Sequence, residues 1–308
     1  MDWRTPALSD LETLQKCALN NIFFANNYGA VNSILYEKKF HSLIAFDGEW
    51  IFEKFFEGEK TCFSFPHNLL GKSDGTKEAL EILAGDARSK NERLIFENIT
   101  AEEKDILQEL WPSVKISPTP ESGDYIYRTE NLSSLAGKKL SRKRNHIHQF
   151  DSKYPDFSFE LLMPENFSFV REVEEKWLEE NSDFAKTNGT LSDLEIEREI
   201  IFYALENFET FSQSCGMSGG ILFASGNPVA FCIASILSER VTDVHFEKSL
   251  YSFGRDGAYA KINNEFSKTV RTEFLNREED LGIEGLRKAK LSYYPEKVLE
   301  KFLVETED

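Results

Sequence analysis

The chain has 308 residues, with 36 Lys and Arg against 53 Asp and Glu, a formal net charge of −17 at pH 7 and 41% hydrophobic residues. This length and apolar content predict two domains with packed cores, which we place at residues 1–150 and 151–308. The acidic balance excludes a general DNA-binding protein, because non-specific affinity for nucleic acid depends on Lys and Arg.

The amino terminus, Met1 to Pro6, lacks the basic start and apolar core of a signal peptide. The longest apolar run, Val229 to Leu237, is far shorter than the ~20 residues that span a bilayer. We therefore expect a cytoplasmic protein without an integral membrane segment. The cysteines are far apart and form no C-x-x-C pair, so neither a disulfide framework nor a zinc site is indicated for Cys17, Cys62, Cys215 and Cys232.

The first half of the chain predicts an antiparallel sheet flanked by helices. Apolar residues recur at helical spacing over 11–19, and short aromatic and β-branched runs follow at 31–36, 41–46, 49–56 and 61–65. Asp47-Gly48 lies between two of these runs and is a hairpin signal. Further on, the pattern predicts a helix at 77–87, a strand at 93–99, a helix that starts at the capping box of Thr100, and a strand at 124–128.

The second half repeats this order. It predicts a strand at 157–162, a helix at 166–181, a second helix that starts at the capping box Ser192 to Glu195, and a meander of strands at 217–224, 229–237 and 241–247. A glycine-bearing turn at 253–258 then leads to a helix and to a strand at 273–276. Meander, helix and strand in both halves suggest a structural duplication.

A basic cluster interrupts the acidic chain. Five of the seven residues from Lys138 to Arg144 are cationic. Because like charges repel, such a cluster predicts a bound phosphate or a set of intramolecular carboxylates, and the alternative is a solvated helix face. A second basic cluster lies at Arg287, Lys288 and Lys290, and together with the first it would bind a long polyanion. The alternative is that the acidic run 278–280 neutralises either cluster within the fold.

The strand at 241–247 is the best candidate for chemistry. Strand alternation places Asp243, His245 and Glu247 on one face. These groups would supply a general base, for which Glu247 is preferred because it lies nearest the glycine turn, and His245 is the second candidate. The alternative is a solvated sheet face. No metal site is predicted, since nothing nearby completes a recognised ligand spacing.

The glycine turn itself predicts a phosphate site. Backbone N–H groups of Gly254, Arg255, Gly257 and Ala258 would meet an oxyanion at a helix start. The alternative is an ordinary tight turn. The chain contains no G-x-S-x-G, H-E-x-x-H, G-x-x-x-x-G-K-[ST] or G-x-G-x-x-G motif, so the hydrolase, zincin, P-loop and dinucleotide classes have no support.

Four segments carry a resemblance to a known family: Asp124 to Tyr127, Leu135 to Ile147, Val244 to Lys248 and Asn276 to Tyr293. The chain resembles a bacterial family of unknown function that is related to the C-terminal catalytic domain of phosphatidylglycerol lysyltransferases. The resemblance implies an α+β fold of two tandem Gcn5-related N-acetyltransferase (acyl-CoA N-acyltransferase) domains, as in the Fem-type peptidyltransferases. Each domain would hold a mixed, mostly antiparallel sheet flanked by helices.

Relatives of this kind transfer an aminoacyl group from tRNA, and ordinary acetyltransferases use acyl-CoA. The resemblance therefore implies an acyl- or aminoacyl-transferase with acyl-CoA or aminoacyl-tRNA as co-substrate, no tightly bound cofactor, and an amine or hydroxyl acceptor that the sequence does not identify. The substrate-binding residues would be Lys138, Lys139, Arg142, Arg144, Asn145, His146, Arg287, Lys290 and Tyr293. The alternative is a non-catalytic anion- or nucleotide-binding protein on a duplicated acyltransferase fold.

Overall fold

The computed structural model describes residues 1–306. In chain order its helices are α1 Leu11–Asn21, α2 Ala30–Leu35, α3 Glu37–Phe40, α4 Thr76–Ser89, α5 Ala101–Leu110, α6 Thr129–Ser134, α7 Ser141–Lys153, α8 Phe167–Asn188, α9 Leu191–Glu206, α10 Phe208–Cys215, α11 Tyr251–Arg255, α12 Ala258–Ser267 and α13 Glu284–Leu291. Its strands are β1 Leu43–Asp47, β2 Trp50–Glu57, β3 Lys60–Phe63, β4 His67–Asn68, β5 Ile95–Thr100, β6 Lys115–Pro118, β7 Asp124–Arg128, β8 Ser158–Leu161, β9 Ser218–Ala224, β10 Asn227–Ser238, β11 Val241–Ser249, β12 Phe274–Asn276, β13 Lys297–Leu299 and β14 Lys301–Glu305.

Within the described residues the strands form two seven-stranded sheets. The first sheet has the order β1-β2-β3-β5-β14-β6, with β4 paired to β2, and the second has the order β13-β7-β12-β11-β10-β9-β8. Each sheet is antiparallel except at one neighbour pair, β3 with β5 in the first and β11 with β12 in the second. Both sheets are therefore mixed and mostly antiparallel, as the sequence predicts.

The two sheets exchange segments across residue 150. Strand β7, which precedes that position, pairs with β12 and β13 in the second sheet. Strand β14, near the carboxyl end, pairs with β5 and β6 in the first sheet. Helices α1 and α2 also pack their apolar residues against the second sheet. The division of the chain at residue 150 stays a prediction, but neither sheet is built from one side of it alone.

The second sheet is buried on both faces, which explains its central strand. Helices α2, α8, α9 and α10 cover one face, and α6, α7 and α12 cover the other. Strand β10 is consequently buried along nearly its whole length, and its sequence is a continuous apolar run instead of an alternating one. The core of the first sheet includes Phe52, Phe63 and Phe96, against which Leu80 and Leu83 of α4 pack.

Two local predictions are wrong. Residues 31–36 are predicted as a strand, but 31–35 belong to helix α2 (Ala30–Leu35), all six residues of which are buried. A fully buried short helix has no polar face, so its apolar run cannot be told from a strand by periodicity. The capping box at Ser192 is also wrong, because α9 already begins at Leu191 after Thr190 and its first turn has no side-chain cap. By contrast, the Asp47-Gly48 hairpin and the capping box of Thr100 are confirmed.

Every helix within 1–306 is either too short or too polar to cross a lipid bilayer.

Candidate active site

The second sheet splits between β11 and β12. Their parallel pairing covers three residue pairs and ends at Asp243 opposite Asn276. Beyond that point β11 continues to Ser249, whereas the chain after Asn276 leaves the sheet as a loop. Two neighbouring strands that separate in this way leave a cleft at the edge of their pairing. Glu247 on β11 and Arg277 just after β12 lie on either side of this split.

A β-bulge decides which side chains face the cleft. Strand β10 pairs Ala234 with Val244 and Ile233 with Phe246, so His245 has no partner opposite. An extra residue in one strand reverses the alternation beyond it. Glu247 therefore faces α12, while His245 faces α2. The prediction that Asp243, His245 and Glu247 share one face is wrong for Glu247, because strand alternation assumes an unbroken ladder.

Glu247 lies at the centre of a buried polar group. Its Oε1 accepts a hydrogen bond from Nη2 of Arg277 at 2.7 Å, and its Oε2 accepts one from Nδ2 of Asn263 at 3.1 Å. Each side chain of the ion pair is 11% exposed. Burial lowers the pKa of Arg277, but the Glu247 carboxylate, together with Tyr127 and Tyr293, raises it, and the pKa of the guanidinium lies above its ordinary value. Arg277 is thus held in its charged form.

Lys143 of α7 approaches the same group. Its Nζ lies 3.7 Å from the centre of the Tyr293 ring, and the guanidinium carbon of Arg277 lies 4.9 Å from that ring. Burial lowers the pKa of Lys143 to about 8, and repulsion by Arg277 acts in the same direction against the attraction of Glu247. A lysine with a pKa near neutrality exchanges its proton readily at physiological pH.

Most cationic side chains of α7 and of the loop before it are exposed to solvent. Lys138, Lys139, Arg142, Asn145 and His146 are exposed. Arg144 is also exposed, but it donates to the backbone carbonyls of Leu135 and Gly137 and so holds the loop before α7. Five of the predicted substrate-binding residues are therefore exposed to solvent, in or just before the helix that carries Lys143.

Three predicted residues near the carboxyl end have structural contacts. Arg287 donates two hydrogen bonds to Asp280, at 2.8 and 2.9 Å. Lys290 is buried and donates to the backbone carbonyls of Arg277 and Glu279, which holds the loop that carries Arg277. Tyr293 is buried, and the face of its ring lies against Lys143 and Arg277. Of the three, Tyr293 alone faces the site.

The glycine turn differs from its prediction. Gly254 lies inside helix α11 and its N–H donates to the carbonyl of Leu250 at 2.8 Å. Gly257 donates to Gly254 at 3.2 Å. A Cβ on Gly257 would lie 2.3 Å from the carbonyl oxygen of His146, so α7 packs directly on the start of α12. Arg255 is exposed and Ala258 is fully buried. The cofactor site at these residues stays a prediction.

Substitution Gly257→Ala is expected to destabilise the protein by about 2 kcal/mol or more, because φ is +111° and the new methyl group meets the backbone of α7. Gly85→Ala is the matched control, since a Cβ there meets nothing within 4 Å inside α4. That control should gain about 0.5–1 kcal/mol from helix propensity. Urea unfolding of both variants measures the difference, and equal effects would contradict the close-packing account.

Sequence reasoning missed Arg277, Asn263 and the inward position of Lys143. Arg277 is the first residue after β12 and lies opposite β11, the strand that carries the preferred base. Its position directly after the predicted strand at 273–276 is the sequence signal that points to it. Asn263 is a buried polar residue in the middle of α12. The amphipathic pattern of that helix does not distinguish Asn263 from the other polar residues. Lys143 differs from its cationic neighbours only in the face of α7 on which it lies.

Comparisons with known proteins agree with this architecture. The family model described as phosphatidylglycerol lysyltransferase, C-terminal, matches residues 56–305. An uncharacterised protein of Mycoplasmoides gallisepticum is 22% identical over 184 residues, which are 59% of this chain and 56% of that protein. The chain therefore spans little more than half the length of this curated relative.

Solved structures give the same fold. A protein of unknown function from Bacteroides thetaiotaomicron is 30% identical, with a TM-score of 0.90 over 100% of both chains. The structure of L-PGS from Bacillus licheniformis is 14% identical, and the C-terminal domain (DUF2156) of a lysylphosphatidylglycerol synthetase homologue from Agrobacterium fabrum is 10% identical. Their TM-scores are 0.67 and 0.66, and each comparison covers 98% of this chain and 93% of the other.

The fold class predicted from the sequence is confirmed. The protein is α+β, with two mixed, mostly antiparallel sheets, each flanked by helices. The family model matches well over half of the chain. The chain belongs to the family of phosphatidylglycerol lysyltransferase C-terminal domains, which is related to acyl- and aminoacyl-transferases.

Proposed function

We propose that this protein is an aminoacyltransferase that moves an aminoacyl group from aminoacyl-tRNA to an amine or hydroxyl acceptor. The observation that carries the proposal is the group of Lys143, Glu247 and Arg277 around Tyr293, at the split between β11 and β12. Ester transfer passes through a tetrahedral intermediate with a negatively charged oxygen. Cations held in a water-poor cleft stabilise such an oxygen more strongly than they would in water.

The surroundings of the cleft favour a tRNA donor over acyl-CoA. Of the four N–H groups predicted to bind a phosphate at the glycine turn, those of Gly254 and Gly257 already donate to backbone carbonyls. The exposed cations Lys138, Lys139 and Arg142 lie at the amino end of α7, the helix that carries Lys143. A polynucleotide backbone is the anion that would contact this surface while its charged end enters the cleft.

The chemistry requires two proton transfers. The acceptor nitrogen or oxygen attacks the ester carbonyl and gives its proton to the Glu247 carboxylate, which Arg277 and Asn263 hold in place. The intermediate collapses, the bond between the carbonyl carbon and the ribose oxygen breaks, and that oxygen takes a proton from the Lys143 ammonium. Water then returns the proton from Glu247 to Lys143, so the site is restored.

The test is loss of radiolabelled amino acid from a mixture of bacterial aminoacyl-tRNAs, with hydroxylamine or phosphatidylglycerol vesicles as acceptor and the spontaneous rate subtracted. Wild-type protein should accelerate transfer with at least one charged tRNA. Glu247→Gln should reduce turnover about 100-fold or more while leaving tRNA affinity within a few fold, because the group acts on the reacting proton.

Lys77→Met is the control, since Lys77 is an exposed residue of the first domain that pairs with Glu109, and it should keep full activity. Consumption of acetyl-CoA without consumption of any charged tRNA would contradict the choice of donor. Binding of charged tRNA with no acceleration by wild-type protein in either acceptor would favour the alternative of a non-catalytic binding protein.

A further inference from the structure

We propose that Asp243, His245 and Glu278 bind a divalent transition-metal ion on the face of the second sheet opposite the cleft. One potential ligand atom from each of these side chains lies within 4.8 Å of the other two. The first two side chains are each 1% exposed and that of Glu278 is 13% exposed. The inference does not depend on the proposed aminoacyl transfer, because it concerns different side chains and a different face.

The spacing of the three side chains fits metal ligands better than hydrogen-bond partners. Nδ1 of His245 lies 3.7 Å from Oδ2 of Asp243 and 3.6 Å from Oε1 of Glu278. Both distances exceed those of N–H···O hydrogen bonds, which end near 3.2 Å. Tetrahedral bonds of about 2.0–2.1 Å place neighbouring ligand atoms roughly 3.4 Å apart. A small movement of the three side chains toward one another would bring all three atoms to bonding distance of one ion.

The second observation is a set of buried atoms without partners. Nδ1 of His245 and Oδ1 of Asp243 have no hydrogen-bond partner, and neither does Oδ1 of Asn32, whose Nδ2 contacts both carboxylates at 3.2 and 3.3 Å. Buried polar groups are almost always paired, so such a concentration of unpaired atoms calls for a ligand. A bound cation would give a partner both to Nδ1 of His245 and to the unpaired carboxylate oxygen of Asp243.

The other side of the imidazole supports the same assignment. Nε2 of His245 lies 2.8 Å from Oγ of Ser235. If Nε2 carries the proton and donates it to the serine, the lone pair of Nδ1 is free and points at the carboxylates. Metal-bound histidines are typically oriented by such an outer partner on their second nitrogen. Ser235 is therefore a positioning residue of the proposed site.

The charge of the surroundings also favours a cation. Asp124 is neutralised by Lys301 at 2.7 Å, and Glu279 accepts a hydrogen bond from Asn26. Within residues 1–306, His245 alone among cationic side chains comes within 4 Å of Asp243 or Glu278. The carboxyl groups of Asp243 and Glu278 therefore lie beside a single imidazole that makes no hydrogen bond to either. A divalent cation between them would balance their negative charge.

The donor set narrows the choice of ion. One imidazole nitrogen with two carboxylates suits ions of intermediate hardness such as Mn²⁺ or Zn²⁺. No metal site is predicted from the sequence because these ligands follow no recognised spacing, and Glu278 is brought to Asp243 and His245 by the loop after β12. This loop also carries Arg277, so the ion would connect β11 to the segment that completes the cleft.

The test is metal binding by the full chain after treatment with a chelator. We expect about one Mn²⁺ or Zn²⁺ per chain by titration with elemental analysis, and a rise in the thermal midpoint when the ion is added. Pulsed electron paramagnetic resonance of the Mn²⁺ form should show coupling to one histidine nitrogen. This spectrum is measured on wild-type protein and does not depend on the folding of any variant.

Variants then assign the ligands. Asp243→Asn and Glu278→Gln should weaken binding at least about 100-fold, and Ser235→Ala about 10- to 100-fold. Glu97→Gln is the matched control, because Glu97 belongs to a separate group with Glu57 and Cys62, and it should bind like wild type. Absence of saturable binding, a spectrum without histidine coupling, or unchanged affinity in Glu278→Gln would each overturn the proposal.

Discussion

Replacement of Lys143 by methionine is expected to reduce the rate of aminoacyl transfer about 10²- to 10³-fold, the usual cost of one charge-stabilising group in a preorganised site. The protein should remain folded, because burial and Arg277 already disfavour the ammonium form. Removal of a charge that the fold disfavours does not cost stability. The measurement is the single-turnover rate with charged tRNA, compared with Lys77→Met.

The pH dependence of the transfer rate tests the role of Lys143 more specifically than the loss of rate in Lys143→Met. The groups that face Lys143 are Arg277 after β12, Glu247 on β11 and the ring of Tyr293. Since the pKa of Lys143 is lowered to about 8, its ammonium is present below pH 8 and is lost above it. If the ammonium is the acting form, the transfer rate falls about tenfold per pH unit above 8.

Lys143→Arg separates charge from proton transfer. A guanidinium stays protonated across this range, so the decline above pH 8 should disappear while part of the oxyanion stabilisation remains. In Lys143→Met the decline should disappear together with most of the rate. A wild-type profile that is flat from pH 7 to 9.5, after subtraction of spontaneous ester hydrolysis, would contradict the role of Lys143.

Lys248→Met is expected to destabilise the protein by about 3–5 kcal/mol, the cost of leaving a buried charge unpaired. Lys248 on β11 contacts Glu174 of α8 at 2.9 Å, and the Glu174 side chain is 0% exposed. Lys248 also contacts Glu197 of α9 and the ring of Trp177. The pair thereby connects two helices to the strand that carries the site. Chemical denaturation at pH 7 measures the loss.

Acid pH should reduce this loss. Burial raises the pKa of Glu174 to about 7, with Lys248 acting in the opposite direction. A carboxyl with a raised folded-state pKa contributes most stability when protonated, below about pH 4.5, and loses it as pH rises through 7. In Lys248→Met the loss relative to wild type should therefore be larger at pH 8 than at pH 5.

Two further variants complete this test. The double variant Glu174→Leu with Lys248→Met should recover most of the stability, because apolar packing often replaces a buried ion pair at no cost. Lys176→Met on the same helix removes the exposed pair with Glu172 and should change stability by about 0.5 kcal/mol or less. Equal losses in Lys176→Met and Lys248→Met would show that burial does not set the cost.

The elements that the sequence predicted well have strong local signals. The Asp47-Gly48 hairpin, the Thr100 cap and the meander β9 to β11 rest on turn chemistry and on β-branched runs. Helix α2 was missed because burial on all sides removes its amphipathic pattern. Strands β13 and β14 are short, and the partners of β14 lie in the first sheet. Such pairing depends on tertiary contacts that no local pattern reveals.

The candidate site was predicted in part for similar reasons. Glu247 and Tyr293 were named from the strand and from the resemblance, and both lie in the cleft. The bulge at His245 could not be predicted, because a bulge depends on the register with β10. Arg287 is predicted as a substrate contact from its charge and from the resemblance, whereas the structure pairs it with Asp280. Charge without burial does not distinguish a ligand contact from an internal ion pair.

The central claim is that transfer occurs where β11 and β12 separate. The most direct measurement is a crystal structure with a non-hydrolysable 3′-aminoacylamino analogue of the terminal adenosine of charged tRNA. We predict its aminoacyl carbonyl within hydrogen-bonding distance of Lys143 or Arg277, with Glu247 facing the same carbon. An analogue bound at the turn of Gly254 to Ala258, with the cleft empty, would contradict the account.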